Sequence, residues 1–226
     1  MVDQSAPDLF DGQPPPSRDE YVLGQGFYCD PQYCRRLIPD ARMWPAELED
    51  ANTDRRGWLW IDRALLFTIA ERTAGGLADE WAATQLHAAI VFWGARAGQS
   101  RSRAMKPFAD PNVAARLGAA IKLLRGEGAV SAYKSLSRYQ KHWVRGLGPS
   151  YFTKLMYFAG YDAKPYLSRP IIMDDNVIDG LRSVTHGLWQ PTLLDYIRYL
   201  DLAKDWAFEL GTTPDVIERR LFAIGS

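Results

Sequence analysis

An all-α fold is the class this sequence predicts, on three observations. Apolar residues recur every three or four positions over long stretches from residue 58 onward. No segment alternates apolar and polar residues convincingly for more than four positions, so a sheet-based core is not expected. Start and stop signals for helices are sharp near the C-terminus.

Each element has its own signal along the chain. Residues 1–20 carry "GQPPPS" and five acids against Arg18, and read as a flexible acidic, proline-rich arm. Residues 21–226 read as a single globular helical unit. Up to about residue 57, Pro31, Pro39 and Pro45 predict irregular structure with short helices. From Trp58, Leu59, Arg63, Leu66 and Ile69 share one helical face, and Gly75-Gly76 ends the run. A second helix is expected over 79–97, with Leu86, Ile90, Trp93 and Ala97 aligned. Val113, Leu117, Ile121 and Leu124 mark a third, broken by "RGEG", and a fourth is expected from about 129 to 144. Thr192 with Asp195 three residues later resembles a capping box, Gly211 stops the helix begun there, and Pro214 suits the first turn of the last one.

The composition, 47% hydrophobic and 24% charged, is that of an ordinary globular protein. Apolar runs such as "AAIVFW" are too short to cross a bilayer, and no basic tag precedes an apolar stretch, so a cytoplasmic, membrane-free protein is expected. Cys29 and Cys34 are the only cysteines and are expected as free thiols; two sulfurs cannot hold a four-cysteine cluster, so no metal or cofactor is expected. A zinc deaminase is disfavoured because its Cys-x-x-Cys and His-x-Glu elements are missing.

The net charge is zero, yet residues 121–154 hold seven cations against Glu127 alone, and Arg96, Arg101, Arg103 and Lys106 precede them. Lys134, Arg138, Lys141 and Arg145 are spaced to share one face of the expected fourth helix. By itself such a stripe is an ordinary solvated surface. The stripe runs directly into "GLGPS". Gly146 ends a helix, Leu147 can drop into the core, Gly148 allows a tight turn and Pro149 suits the next first turn. Such a turn aims backbone N–H groups and a helix N-terminus at one point, where a phosphate oxygen fits.

"GLGPSYFTK" resembles the hairpin of the helix-hairpin-helix DNA glycosylases. Gly146, Leu147 and Gly148 match the Gly-x-Gly core, while Val144 and Arg145 stand where the family generally has Leu-Pro. Downstream, Pro170 to Val177, "PIIMDDNV", looks like the segment that carries the family's catalytic aspartate, with Asp174 on that position and Asp175 on a glycine. The branch it most resembles is the 8-oxoguanine DNA glycosylase fold without an iron–sulfur cluster. The resemblance implies a two-lobed helical body with hairpin and catalytic segment at about 130–182, acting as a monomer on double-stranded DNA with a flipped base. It implies DNA contacts at Gly146, Leu147, Gly148, Ser150, Lys134, Arg138, Lys141 and Arg145.

Breaking an N-glycosidic bond leaves positive charge on the sugar, and a carboxylate near C1′ stabilises it. Without the resemblance, Asp174 is a helix N-cap worth about 1 kcal/mol. Bifunctional members carry a lysine nucleophile two residues after the second hairpin glycine. Here that residue is Ser150, which cannot form an imine, so a monofunctional, hydrolytic glycosylase is expected. Lys154 lies one turn further on the same face and has three readings: a phosphate or salt-bridge partner, the nucleophile, or a solvated side chain. Trp58, Trp60, Trp93 and Trp143 read as core rather than base platform; His142 and His186 read as structural, His186 with a path to the cleft. The base is not specified, and a role against phage-modified bases in bacterial defence is one further reading. The main rivals are a non-catalytic helix-hairpin-helix DNA-binding protein and a helical scaffold unrelated to DNA.

Overall fold

The computed structural model describes residues 5–74, 79–94, 99–163 and 168–226. Gly75, Gly76, Arg96 and Ala97, each part of a sequence signal, lie outside them, as do residues 164–167. The described residues are mostly helical, with one two-stranded antiparallel sheet among them, made by β1 (Gly26–Cys29) and β2 (Leu59–Asp62). The helices are α1 (Pro31–Leu37), α2 (Arg63–Glu71), α3 (Ala82–Gly94), α4 (Gln99–Ala104), α5 (Val113–Glu127), α6 (Ala129–Leu136), α7 (Pro149–Gly160), α8 (Asp175–Thr185), α9 (Leu193–Glu209) and α10 (Pro214–Ile224). Among the described residues no helix is long and apolar enough to cross a membrane.

α7 is the central helix. Every residue from Phe152 to Gly160 is buried, against α2, α3, α5 and α6. α8 and α10 press together so closely that a Cβ on Gly180 would sit 2.1 Å from the Leu221 carbonyl oxygen. A fully buried, two-pronged ion pair joins the start of α2 to α10: Arg63 Nη1 and Nη2 donate to Glu218 Oε2 and Oε1 at 2.5 and 3.0 Å. Burial raises the Glu218 carboxyl, and Arg63 opposes that rise. The N-terminal arm, expected from its composition to be flexible, is anchored on the body. Leu9 is buried, Arg220 holds its carbonyl, and Arg18 Nε donates to buried Asp215 at 2.6 Å.

Three expectations are corrected. The run from Trp58 is not helical at once: residues 59–62 pair with β1, and α2 begins at Arg63, capped by Asp62 Oδ1, which accepts from Leu65 N–H. The fourth helix does not reach residue 144. It ends at Leu136 because Ser137 turns to extended backbone and Tyr139 takes φ +66°, so Arg138, Lys141 and Arg145 lie on a turn-rich segment rather than one helical face. Cys29 and Cys34 are joined to each other and not free, because α1 turns Cys34 back over the end of β1. Other signals hold: Thr192 caps α9 by accepting from Asp195 N–H, Gly211 (φ +65°) comes just after it, and Pro214 opens α10.

Candidate active site

The hairpin turn is anchored from below. Val144 and Leu147 are buried, and Gly146 takes φ +89°, a conformation that side chains rarely adopt. Pro149 then opens α7, whose second turn carries Lys154. Thr153, beside it, donates to the Pro149 carbonyl at 2.7 Å and accepts from Met173 N–H at 3.1 Å. That bond, the burial of Ile171, Ile172 and Met173, and the Tyr196 hydroxyl on the Ile171 carbonyl clamp the segment before α8 onto α7.

The clamp decides where Asp174 goes. It caps α8, Oδ1 accepting from Val177 N–H at 3.2 Å, and Oδ2 lies 2.5 Å from Lys154 Nζ. Lys154 Nζ also donates to the Ser150 carbonyl at 3.0 Å, so its stem folds back one turn toward the hairpin. Both side chains are nearly closed off from solvent, 7% and 12% exposed. Gly94, at the end of α3, borders the lysine stem, where a Cβ would touch Lys154 Cε at 3.4 Å.

The pair lies on the wall of a cleft of about 1020 Å³. Phe27 and Tyr28 of β1, Trp93 of α3 and Phe222 of α10 supply aromatic wall, and Arg101 of α4 supplies a buried cation. Phe27 and Tyr28 are each 46% exposed. Among the described residues no group of three or more acidic, histidine or cysteine side chains could hold a metal ion.

Of the residues expected from the sequence, Gly146, Ser150, Lys154 and Asp174 come together on this cleft. Gly148 is not on its wall, and Leu147 points into the core. Lys134, Arg138, Lys141 and Arg145 are all exposed, outside the cleft; the Arg138 guanidinium lies 4.6 Å from the Tyr139 ring centre. His186 sits at the far end of α8 from Asp174. Trp93 is buried and Trp58, Trp60 and Trp143 are half-buried; Trp58 and Trp93 line the cleft.

Residues 20–222 match the family model described as "Putative 8-oxoguanine DNA glycosylase OGG-like protein". The chain belongs to this OGG-like glycosylase family. No curated protein and no solved structure matches it. In this family member, sequence reasoning missed the contributions of β1, Asp30 and α4 to the cleft. Their residues lie far from the hairpin along the chain, and only the exposed aromatic dipeptide Phe27-Tyr28 offered a signal.

Proposed function

We propose that the protein is a DNA N-glycosylase that takes a damaged or modified base, extruded from double-stranded DNA, into the cleft beside Lys154 and Asp174. One observation carries the reading: a buried carboxylate and a buried amine meet on the wall of an aromatic-lined cleft, next to a Gly-x-Gly turn. As the base leaves, the bonding electrons go with it and positive charge grows on the sugar. Asp174, fixed by its cap bond and by Lys154, stabilises that charge. The exposed cations of the hairpin approach would hold flanking phosphates.

Which group takes C1′ next has two answers. Ser150 at the usual lysine position points to water steered by Asp174, a hydrolytic enzyme that leaves the strand intact. The Lys154 geometry favours a second reading. Its Nζ reaches back to the Ser150 carbonyl and touches Asp174 Oδ2, an acceptor for the proton that the ammonium must lose before it attacks. The C1′–Nζ bond then replaces the bond to the base, and ring opening gives an imine.

The test is a panel of duplexes carrying oxidised guanine, alkylated bases and bulky modified pyrimidines, run with the parent and Asp174→Asn. The expected result is base release by the parent, slowed on the order of a hundredfold or more in the variant, with duplex affinity retained. Binding without release of any base by the parent would instead favour a non-catalytic DNA-binding protein.

A further inference from the structure

Among the described residues, the carboxylates of Asp30, Asp174 and Asp175 line the cleft, and the chemistry at C1′ uses only Asp174. Asp30 caps α1, its Oδ1 accepting from Gln32 N–H at 2.9 Å. Asp174 has both oxygens committed, Oδ1 to Val177 N–H and Oδ2 to Lys154 Nζ. The Asp175 side chain is exposed, and among the described residues no hydrogen bond or ion pair engages it. It stands where the resembled motif has a glycine.

Backbone geometry separates the two neighbours. Asp174 is extended, φ −106° and ψ −179°, and turns its side chain inward on Lys154. Asp175 is the first residue of α8, its Cα about 3.8 Å from that of Asp174, and stays exposed on the cleft wall. An acid in the first turn gains from the helix dipole wherever it points. The dipole therefore does not account for a free anion on a wall that receives a polyanion, where it repels phosphate. Asp179, one turn further along α8, shows the ordinary arrangement and pairs with Arg182 at 2.8 Å.

The step after base loss needs a free proton acceptor. Once Lys154 is joined to C1′ as an imine, cutting the strand requires that a proton leave C2′. Asp174 is not free to take it, because it holds the cap of α8 and accepts the proton of the lysine. Tyr151 also lines the cleft, its ring centre 5.7 Å from Lys154 Nζ. Burial raises its pKa above the ordinary value, so its hydroxyl keeps its proton.

We propose that Asp175 is the general base of this second step, taking the C2′ proton onto its free carboxylate. The C2′–H electron pair forms a C1′–C2′ double bond, and the electrons of the protonated imine move onto Nζ. Their return forms a C2′–C3′ double bond, breaks the C3′–O bond and expels the 3′ phosphate. No oxidant or further reactant is needed. This rests on the reading of Lys154 as the group that takes C1′, and it divides two adjacent carboxylates between two consecutive steps.

The experiment uses a duplex with one preformed abasic site, whose aldehyde lets the lysine form its imine whatever base the enzyme prefers. Strand breakage without alkali and adduct trapped by borohydride are followed for the parent, Asp175→Asn and the charge control Asp179→Asn. The parent and the control should both break the strand. Asp175→Asn should break it on the order of a hundredfold more slowly and give more trapped adduct, because the imine persists. Breakage at the parent's rate, or adduct and breakage falling together, would overturn the assignment while leaving the Lys154 reading intact. A parent that gives neither adduct nor breakage would remove that reading and this assignment with it, whereas release of a base from the duplex panel would still uphold the glycosylase.

Discussion

Lys154 Nζ and Asp174 Oδ2 meet at 2.5 Å across twenty residues of chain, with almost no solvent at either group. Each is the other's main compensation for burial, since Lys154 otherwise has the Ser150 carbonyl and Asp174 the Val177 N–H. Lys154→Gln or Asp174→Asn alone should therefore cost about 3 kcal/mol, because one charge stays buried without its partner. The double variant should cost clearly less than the two added together. Urea unfolding of the four proteins measures this, and additive losses would mean that the two charges do not depend on each other.

The position of Asp174 also depends on how α8 sits against α10. A methyl group on Gly180 would meet the Leu221 carbonyl oxygen at 2.1 Å, so Gly180→Ala must push the helices apart. A loss of about 2 kcal/mol is expected. Because Asp174 caps α8, base release should slow as well, a misplacement of about 1 Å being enough for a hundredfold. Gly118→Ala is the control. Nothing lies within 4 Å of its would-be Cβ, and it should stabilise α5 by about 1 kcal/mol.

Acid stability should report on His87. Burial pushes its pKa down from an ordinary 6.5 to about 4, the Ala104 backbone opposing this only in part. The unfolded chain takes a proton that the native ring refuses, so stability is full above about pH 6.5 and falls as pH drops toward 4. The loss reaches roughly 3 kcal/mol at most. His87→Leu, in the apolar site beside Phe108 and Tyr151, should flatten that part of the curve. The difference between parent and variant across the window isolates the histidine, and parallel curves would contradict the assignment.

Much of this fold is legible in the sequence. The periodicity of Val113, Leu117, Ile121 and Leu124 marks α5, and Thr192 with Asp195 marks the start of α9, because both signals are local. The spacing of Lys134, Arg138, Lys141 and Arg145 is misleading. Periodicity says nothing about Ser137 turning extended or Tyr139 entering the left-handed region. β1 and β2, four residues each and about thirty apart, are too short to alternate visibly. Asp174 can be found from its motif. The ion pair to Lys154 cannot, because it depends on Thr153 clamping Met173 to α7.

The broken cationic helix makes a prediction of its own. Arg138, Lys141 and Arg145 fan out from turns beside the hairpin instead of lining one ridge. If they hold phosphates, Arg145→Glu or Lys141→Glu should weaken binding to all duplexes alike, whatever base they carry. Each lost contact should lower the slope of log affinity against log salt by about 0.9. Filter binding between low and moderate salt checks it. An unchanged slope in both variants would mean that DNA docks elsewhere.

The last prediction concerns the fate of C1′. With Lys154 Nζ held against the Ser150 carbonyl and Asp174 Oδ2, an amine stands beside the backbone of the residue at the resembled family's usual lysine position. An amine attached to the protein gains from proximity. Attack by Lys154 produces an imine, which borohydride reduces to a stable protein–DNA adduct. The parent, incubated with a substrate from which it releases base and then reduced, should give that adduct on a denaturing gel. Lys154→Ala should give none. Ser150→Ala should keep it, because the contact to Lys154 comes from the backbone carbonyl of residue 150 rather than from its hydroxyl. Base release with no adduct from the parent, and an intact strand until alkali is added, would assign the step to water. Asp174 would then act alone on the sugar, and the ion pair would serve to hold it there.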